Sequence, residues 1–201
     1  MEEFFKYWED RNIEWFIVGG TADTDEAQQA VAKYPKVECL GVEPNPDYVK
    51  YQRTVFPGMV VECALWSYNT DLFLTTPKNC TPRSASVCRP ENAPDTGRWE
   101  AGNMYTVKGR TLDSLSVDYG PFNNAALWID IEYAELAALQ GAVKLLSSKQ
   151  IKIINLETFC NLYLPSINKF LSGFGYTLQR IWNIGTVAGR DAQDVIYTCK
   201  S

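Results

Sequence analysis

Two stretches of this sequence are dense in large apolar residues, and they limit the fold more than any other feature. "LWIDI" (Leu127 to Ile131) and "QIKIINLETF" (Gln150 to Phe159) lack the in–out alternation of a sheet with one wet face. Strands of that kind are buried on both faces, as in a parallel sheet covered by helices above and below. The flanking sequence agrees. "EWFIVGG" (Glu14 to Gly20) is a β-rich run stopped by a glycine pair. "DTDEAQQAVAKYP" follows, with acids at a helix start, alanines inside and Pro35 as terminator. "KVECLGVEPNP" predicts a second strand, "PDYVKYQRTVF" a short helix and "GMVVECALW" a third strand. "TDLFLTT" predicts an extra hairpin strand and "GRTLDSLSVDYG" a short helical element. "LWIDIEY" is strand four, followed by a helix, and "QIKIINLETF" is strand five. "PSINKFLSGFGYTLQRIW" predicts a helix running into a strand, and "DVIYTCK" a closing strand. Alternation of this kind defines an α/β doubly wound three-layer sandwich, with a mostly parallel sheet and an antiparallel closing strand.

A chain of 201 residues suits one domain, residues 1–201. The segment from Pro77 to Gly109 is rich in Pro, Asn, Ser, Thr and Arg and has no sustained period. It predicts a long loop or lid at about 77–109. No apolar run approaches the roughly 20 residues that span a bilayer. The start, "MEEFFKYWEDRN", carries acids where a secretory signal has a basic region. A formal charge of −5 disfavours nucleic acid as a partner. Cys39, Cys63, Cys160 and Cys199 read as small apolar residues of strands or helices, and Cys80 and Cys88 as loop thiols. Reduced thiols point to a cytoplasmic location. The chain has no histidine, so a zinc site is disfavoured and proton transfer falls to carboxylates, lysine, tyrosine or water.

In a doubly wound sheet, ligands bind beyond the carboxyl ends of the strands. That rule gathers Gly19, Gly20, Glu43, the Ala64–Trp66 segment, Asp130, Glu132 and Glu157 at one edge. Gly19 and Gly20 give a ligand bare backbone ahead of a helix N-terminus. Glu43 closes strand two about twenty residues later, where an acid accepts hydrogen bonds from the hydroxyls of an adenosine ribose. NAD and S-adenosylmethionine both satisfy that geometry. Asp130 and Glu132 are two apart and are expected to share a face at the end of strand four. A buried Asp130 carboxylate requires a cationic ligand group or a metal beside it. Glu135, in the first turn of the next helix, suits the helix dipole and reads as structural. With Glu157, Asp130 and Glu132 form a carboxylate cluster able to supply a base or to hold Mg²⁺.

"TLDSL" (Thr111 to Leu115), "LWIDIEYAELAALQGAVKLL" and "IKIINLETF" follow one another in the order of the FkbM-like family of S-adenosylmethionine-dependent methyltransferases, which the chain resembles. "VGG", "VEPNP" and "ECALWSYNTDLFL" match that family's cofactor half, so the resemblance runs from Trp15 to Thr198. Tyr133 stands where the family carries glycine. The resemblance implies a Rossmann-like class I methyltransferase fold. It also implies O-methylation of a sugar hydroxyl, with a deoxyhexose such as rhamnose in a glycan as the expected acceptor. Length and compactness resemble methyltransferase modules of glycan-building proteins, including multidomain ones of large algal viruses, and allow fusion to glycosyltransferase domains.

On that resemblance, Gly19, Gly20, Thr21, Glu43, Pro44, Asn45, Ala64, Leu65 and Asp130 are the cofactor-binding residues. Asp130, Glu132 and Glu157 are catalytic, and also the metal ligands if Mg²⁺ takes part. Arg83, Ser84 and Ser86 of "PRSASV", with Tyr133, face the acceptor, and Trp99 and Tyr105 are candidates to stack on a sugar ring. The competing readings are an NAD-dependent Rossmann oxidoreductase, which wants a fuller glycine fingerprint, and a non-catalytic nucleotide-binding module.

Overall fold

The structure is a computed structural model and describes residues 1–21, 24–77, 85–87, 101–159, 163–187 and 190–200. After a short helix α1 (Glu2–Phe5) the chain enters β1 (Trp15–Gly19), α2 (Asp25–Lys33), β2 (Glu38–Glu43), α3 (Pro46–Val55) and β3 (Met59–Glu62). Three short or peripheral strands follow: β4 (Ala64–Leu65), β5 (Thr70–Pro77) and β6 (Ala101–Arg110). The second half runs α4 (Leu112–Tyr119), β7 (Ala125–Ile129), α5 (Glu135–Gln140), α6 (Val143–Ser147), β8 (Ile151–Phe159), α7 (Leu164–Gly173), β9 (Tyr176–Val187) and β10 (Arg190–Cys199).

Seven strands form the central sheet in the order β3-β2-β1-β7-β8-β10-β9. All neighbours are parallel except β10, which runs antiparallel between β8 and β9. The expected doubly wound sheet is therefore present, with its antiparallel strand inserted beside the edge. Consecutive residues of each central strand feed opposite layers. Ile17, Leu127 and Ile129 join the core beneath α4, α5 and α7, while Phe16, Val18, Ala126 and Trp128 join the core beneath α1, α2 and α3. That two-sided burial explains the wholly apolar β1 and β7. Among the described residues no helix is long and apolar enough to cross a membrane.

Local chemistry sets the helix ends. The Asn45 side chain accepts the Asp47 N–H at 3.1 Å and Pro46 opens α3. Thr111 caps α4 through the Ser114 N–H at 3.0 Å. Asp113, inside "TLDSL", reaches across to accept the Lys144 and Leu145 N–H groups at 2.9 and 3.1 Å, capping α6 from a neighbouring helix.

Three elements depart from the sequence reading. The third strand divides at Cys63: β3 stays in the main sheet, while β4 pairs with β6 in a separate sheet of order β4-β6-β5. Residues 101–109, assigned to the long loop, belong to β6, which pairs antiparallel with β5. The helix after strand four is broken into α5 and α6 at Gly141 and Ala142. A Cβ at Gly141 would lie 2.1 Å from the Trp66 carbonyl oxygen and 3.2 Å from the Thr111 Cα. Gly141→Ala is therefore expected to destabilise the fold by about 2–3 kcal/mol, lowering Tm by roughly 5–10 °C. An unchanged thermal melt would show that this backbone contact is slack.

Candidate functional site

The sheet register builds the site. Val42, Gly19, Ile129, Leu156 and Val195 lie side by side across β2, β1, β7, β8 and β10. One residue nearer the carboxyl edge, the row reads Glu43, Gly20, Asp130, Glu157 and Asp194. Strand order reverses between β1 and β7, so this row crosses the crevice where doubly wound folds bind their ligands.

At the β1–β2 side, the Gly20 N–H donates to the Val42 carbonyl at 2.9 Å and the Asp130 N–H to the Gly19 carbonyl at 3.0 Å. These bonds stitch the crevice floor together beneath the bare glycine backbone. Gly20 has φ +82°, and a Cβ there would lie 2.0 Å from the Asp130 carbonyl oxygen, so only glycine fits. Leu65 covers Gly19, and Ala64 is buried beside it in the second sheet. The Glu43 carboxylate is 7% exposed and accepts the Asn45 N–H at 2.9 Å together with the Thr21 backbone N–H. Burial pushes its pKa up to about 7, against the lowering effect of those two bonds. Beside it, Thr21 Oγ1 and Asn45 Nδ2 are buried with no hydrogen-bond partner among the described residues. Orphaned polar atoms at this position fit a ligand that brings hydroxyls.

The β7 side corrects two expectations. Asp130 is exposed rather than buried, so no buried charge there demands a counter-ion. Asp130 and Glu132 also do not share a strand face. β7 ends at Ile129, and Glu132 (φ +49°) and Tyr133 (φ +78°) turn into left-handed backbone where the period of two no longer applies. Glu132 is half-buried, and burial followed by repulsion from Asp130 raises its pKa to about 7. Glu135 is 3% exposed and takes the Tyr133 N–H on Oε1 at 3.1 Å. Burial raises it to about 8, which supports its structural role as the clasp of this turn. Among the described residues no three acidic or cysteine side chains are grouped to hold a metal ion. The expected Mg²⁺ ligand set thus has no support: Glu132 has left the strand that was to align it with Asp130.

Glu157 is half-buried, and burial first, then Asp130 and Asp194, hold its carboxyl well above the usual range. Asp194, opposite it on β10, was missed in the sequence reading. It is buried, bonded by Asn155 Nδ2 at 3.2 Å, and raised to about 6, chiefly by burial. An acid heading the apolar run "DVIYTC" was the available signal, the antiparallel counterpart of Glu157 closing its own strand.

Ser86 donates its hydroxyl to the Glu132 carbonyl at 2.7 Å, so it acts on the turn itself. Tyr105 is half-buried and donates to Asp47 Oδ2 at 2.6 Å. Pro44 lies half-buried between Glu43 and Asn45. Arg83, Ser84, Trp99, Cys80, Cys88 and Cys160 lie outside the described residues. Cys39, Cys63 and Cys199 are buried free thiols, as expected of small apolar residues.

A parallel sheet with an acid-lined crevice at its switch point is the framework of a nucleotide-cofactor enzyme. Residues 19–178 match the methyltransferase FkbM domain, and the chain belongs to that family of S-adenosylmethionine-dependent methyltransferases. No curated protein sequence matches the chain. Among solved structures it is similar to the precorrin-6y C5,15-methyltransferase of Geobacter metallireducens GS-15, at 14% identity over 100% of this chain and 86% of that one, with a TM-score of 0.54. It is also similar to the METTL16 MTase domain, at 10% identity over 100% of this chain and 65% of that one, with a TM-score of 0.53. Likenesses at such identity establish the Rossmann-like methyltransferase fold and nothing about substrate.

Proposed function

We propose that the chain transfers a methyl group from S-adenosylmethionine to a sugar hydroxyl, with a deoxyhexose of a glycan as acceptor. The observation that carries this reading is the single row of Glu43, Gly20, Asp130 and Glu157 across the switch point, with Thr21 Oγ1 and Asn45 Nδ2 unpartnered among the described residues beside Glu43. Glu43 holds the ribose hydroxyls, with Thr21 and Asn45 completing the set. The Gly19–Gly20 backbone runs beneath the methionine portion, and Ala64 and Leu65 flank the adenine. Asp130, exposed at the mouth, faces the cationic end of the donor.

S-adenosylmethionine supplies a methyl carbon activated by a positively charged sulfur, which keeps the bonding pair when the methyl leaves. The protein contributes alignment, worth up to about 7–11 kcal/mol of a barrier, and a base. With no histidine in the chain, Glu132 suits that task, because a carboxylate poised near pH 7 accepts a proton at neutral pH as the acceptor oxygen bonds to carbon. Glu157, its pKa held high, keeps its proton and donates a hydrogen bond.

Incubation with methyl-labelled S-adenosylmethionine and a panel of deoxyhexose glycosides tests the reading. Label is expected in a glycoside, and Glu132→Gln is expected to lower kcat about 100-fold. Tighter binding of NAD than of S-adenosylmethionine by calorimetry would overturn the donor assignment. Donor binding without label in any glycoside would overturn the acceptor.

A further inference from the structure

We propose that Tyr133 and Tyr163 form the wall that selects the acceptor by the shape of its ring, and that the left-handed Glu132–Tyr133 turn exists to hold that wall in place. The inference rests on the methyltransferase reading above and adds the chemical class the acceptor must present, a six-membered sugar ring with an apolar C–H face.

Two consecutive residues with side chains, Glu132 and Tyr133, sit at φ +49° and +78°. Side chains with a Cβ avoid that region, and a bulky ring has less reason to be there than glycine or asparagine. Such a conformation survives only where its surroundings dictate it. Here they do so by separate contacts. The Ser86 hydroxyl donates to the Glu132 carbonyl at 2.7 Å, and Ser86 is itself fixed to β5 by two backbone bonds with Thr75, both 3.0 Å. The Tyr133 N–H donates to Glu135 Oε1 at 3.1 Å, and Glu135 is buried. The Tyr133 ring meets the Tyr163 ring with centroids 6.0 Å apart and planes at 61°. The peripheral sheet, α5 and the entry to α7 thus converge on one turn next to the candidate base.

What the clamp presents is aromatic. Tyr133 follows β7 and Tyr163 precedes α7, so the pair joins the loops beyond the two neighbouring strands that carry Asp130 and Glu157 at their ends. Both rings are half-buried. An aromatic face carries negative potential and attracts polarised C–H groups, while the phenol leaves a polar tip at the rim. A pyranose offers that combination, with axial C–H groups on its face and hydroxyls around its edge. Placing the face against the tyrosines presents an edge hydroxyl to Glu132, the residue next in sequence to Tyr133. A strained turn thereby serves as preorganisation for the acceptor.

The test is steady-state methyl transfer to methyl α-L-rhamnopyranoside by the whole chain, with donor Kd by calorimetry and Tm measured for each variant. Tyr133→Gly and Tyr163→Ala are each expected to raise the acceptor KM about tenfold, the effect of losing one aromatic contact, with donor Kd unchanged. Tyr163→Phe, which keeps the ring, is expected to keep the acceptor KM. Tm of Tyr133→Gly is expected to equal or exceed that of the wild type, because glycine relieves the left-handed backbone. A merely structural tyrosine would give the opposite result, a lower Tm with acceptor KM unmoved, and that outcome overturns the proposal. So does a wild type that binds donor yet methylates a simple phenol and no pyranoside, which leaves the donor site standing. Failure to bind S-adenosylmethionine at all would remove the parent reading first, and this one with it.

Discussion

Glu43→Ala is expected to weaken S-adenosylmethionine binding on the order of 1000-fold, the largest single effect anywhere in the molecule. The substitution removes an acceptor for the ribose hydroxyls. It also frees the Thr21 and Asn45 N–H groups that the carboxylate now holds in place. Hydrogen bonds to a charged group contribute roughly 1.5–3 kcal/mol each, and losing two of them amounts to about three decades in Kd. Glu43→Gln separates the two contributions. It keeps an oxygen for one backbone N–H but exchanges the other acceptor for a donor, and is expected to fall between alanine and the wild type. Because Asn45 caps α3, a melt of each variant must accompany the calorimetry. A small Tm change with a large Kd change is the expected pattern. Donor binding by Glu43→Ala at wild-type strength would show that the ribose lies elsewhere.

The main sheet was legible in the sequence for a physical reason. Burial on both faces leaves no polar residue inside β1 or β7, and the strand-end rule then gathered Gly20, Glu43, Asp130 and Glu157, sequence-distant residues, into one row. Side-chain placement after the strand ends was not legible. Period-two reasoning carried Glu132 onto the face of Asp130, but it lapses where backbone turns left-handed, and nothing in "DIEYAE" announces that turn because its cause is tertiary: the Ser86 hydroxyl, the Glu135 carboxylate and the Tyr163 ring. The split of the third strand at Cys63 has a similar origin. "VVECAL" reads as continuous, yet β4 leaves the main sheet because β6, far along the chain, offers it a partner. "TLDSL" was recognised as a signature without its purpose, which the structure supplies as the N-terminal cap of α6 from Asp113.

The buried acids along this crevice make donor affinity and apoprotein stability depend on pH in opposite directions. Glu43 and Glu132 are raised to about 7, Glu135 to about 8 and Asp194 to about 6, each mainly by burial. A carboxyl whose folded pKa exceeds its unfolded value keeps its proton in the folded state after the unfolded chain has lost its own. The folded state then binds more protons, and stability falls as pH rises from the unfolded pKa toward the folded one. For these groups the window runs from about pH 4.5 to about pH 8. The apoprotein is therefore expected to melt at progressively lower temperature from pH 5 to pH 8, opposite in sign to ordinary acid denaturation. S-adenosylmethionine brings ribose hydroxyls to Glu43 and positive charge near Glu132, favours their ionised forms and so releases protons on binding. Each proton released steepens affinity by up to about tenfold per pH unit within the window. Its Kd is expected to tighten roughly 100-fold between pH 5.5 and pH 8. S-adenosylhomocysteine lacks the sulfonium charge and is expected to show a shallower slope. Calorimetry in two buffers of different ionisation enthalpy counts the protons directly. Equal, flat profiles for donor and product would show that the acidic row does not face the sulfonium.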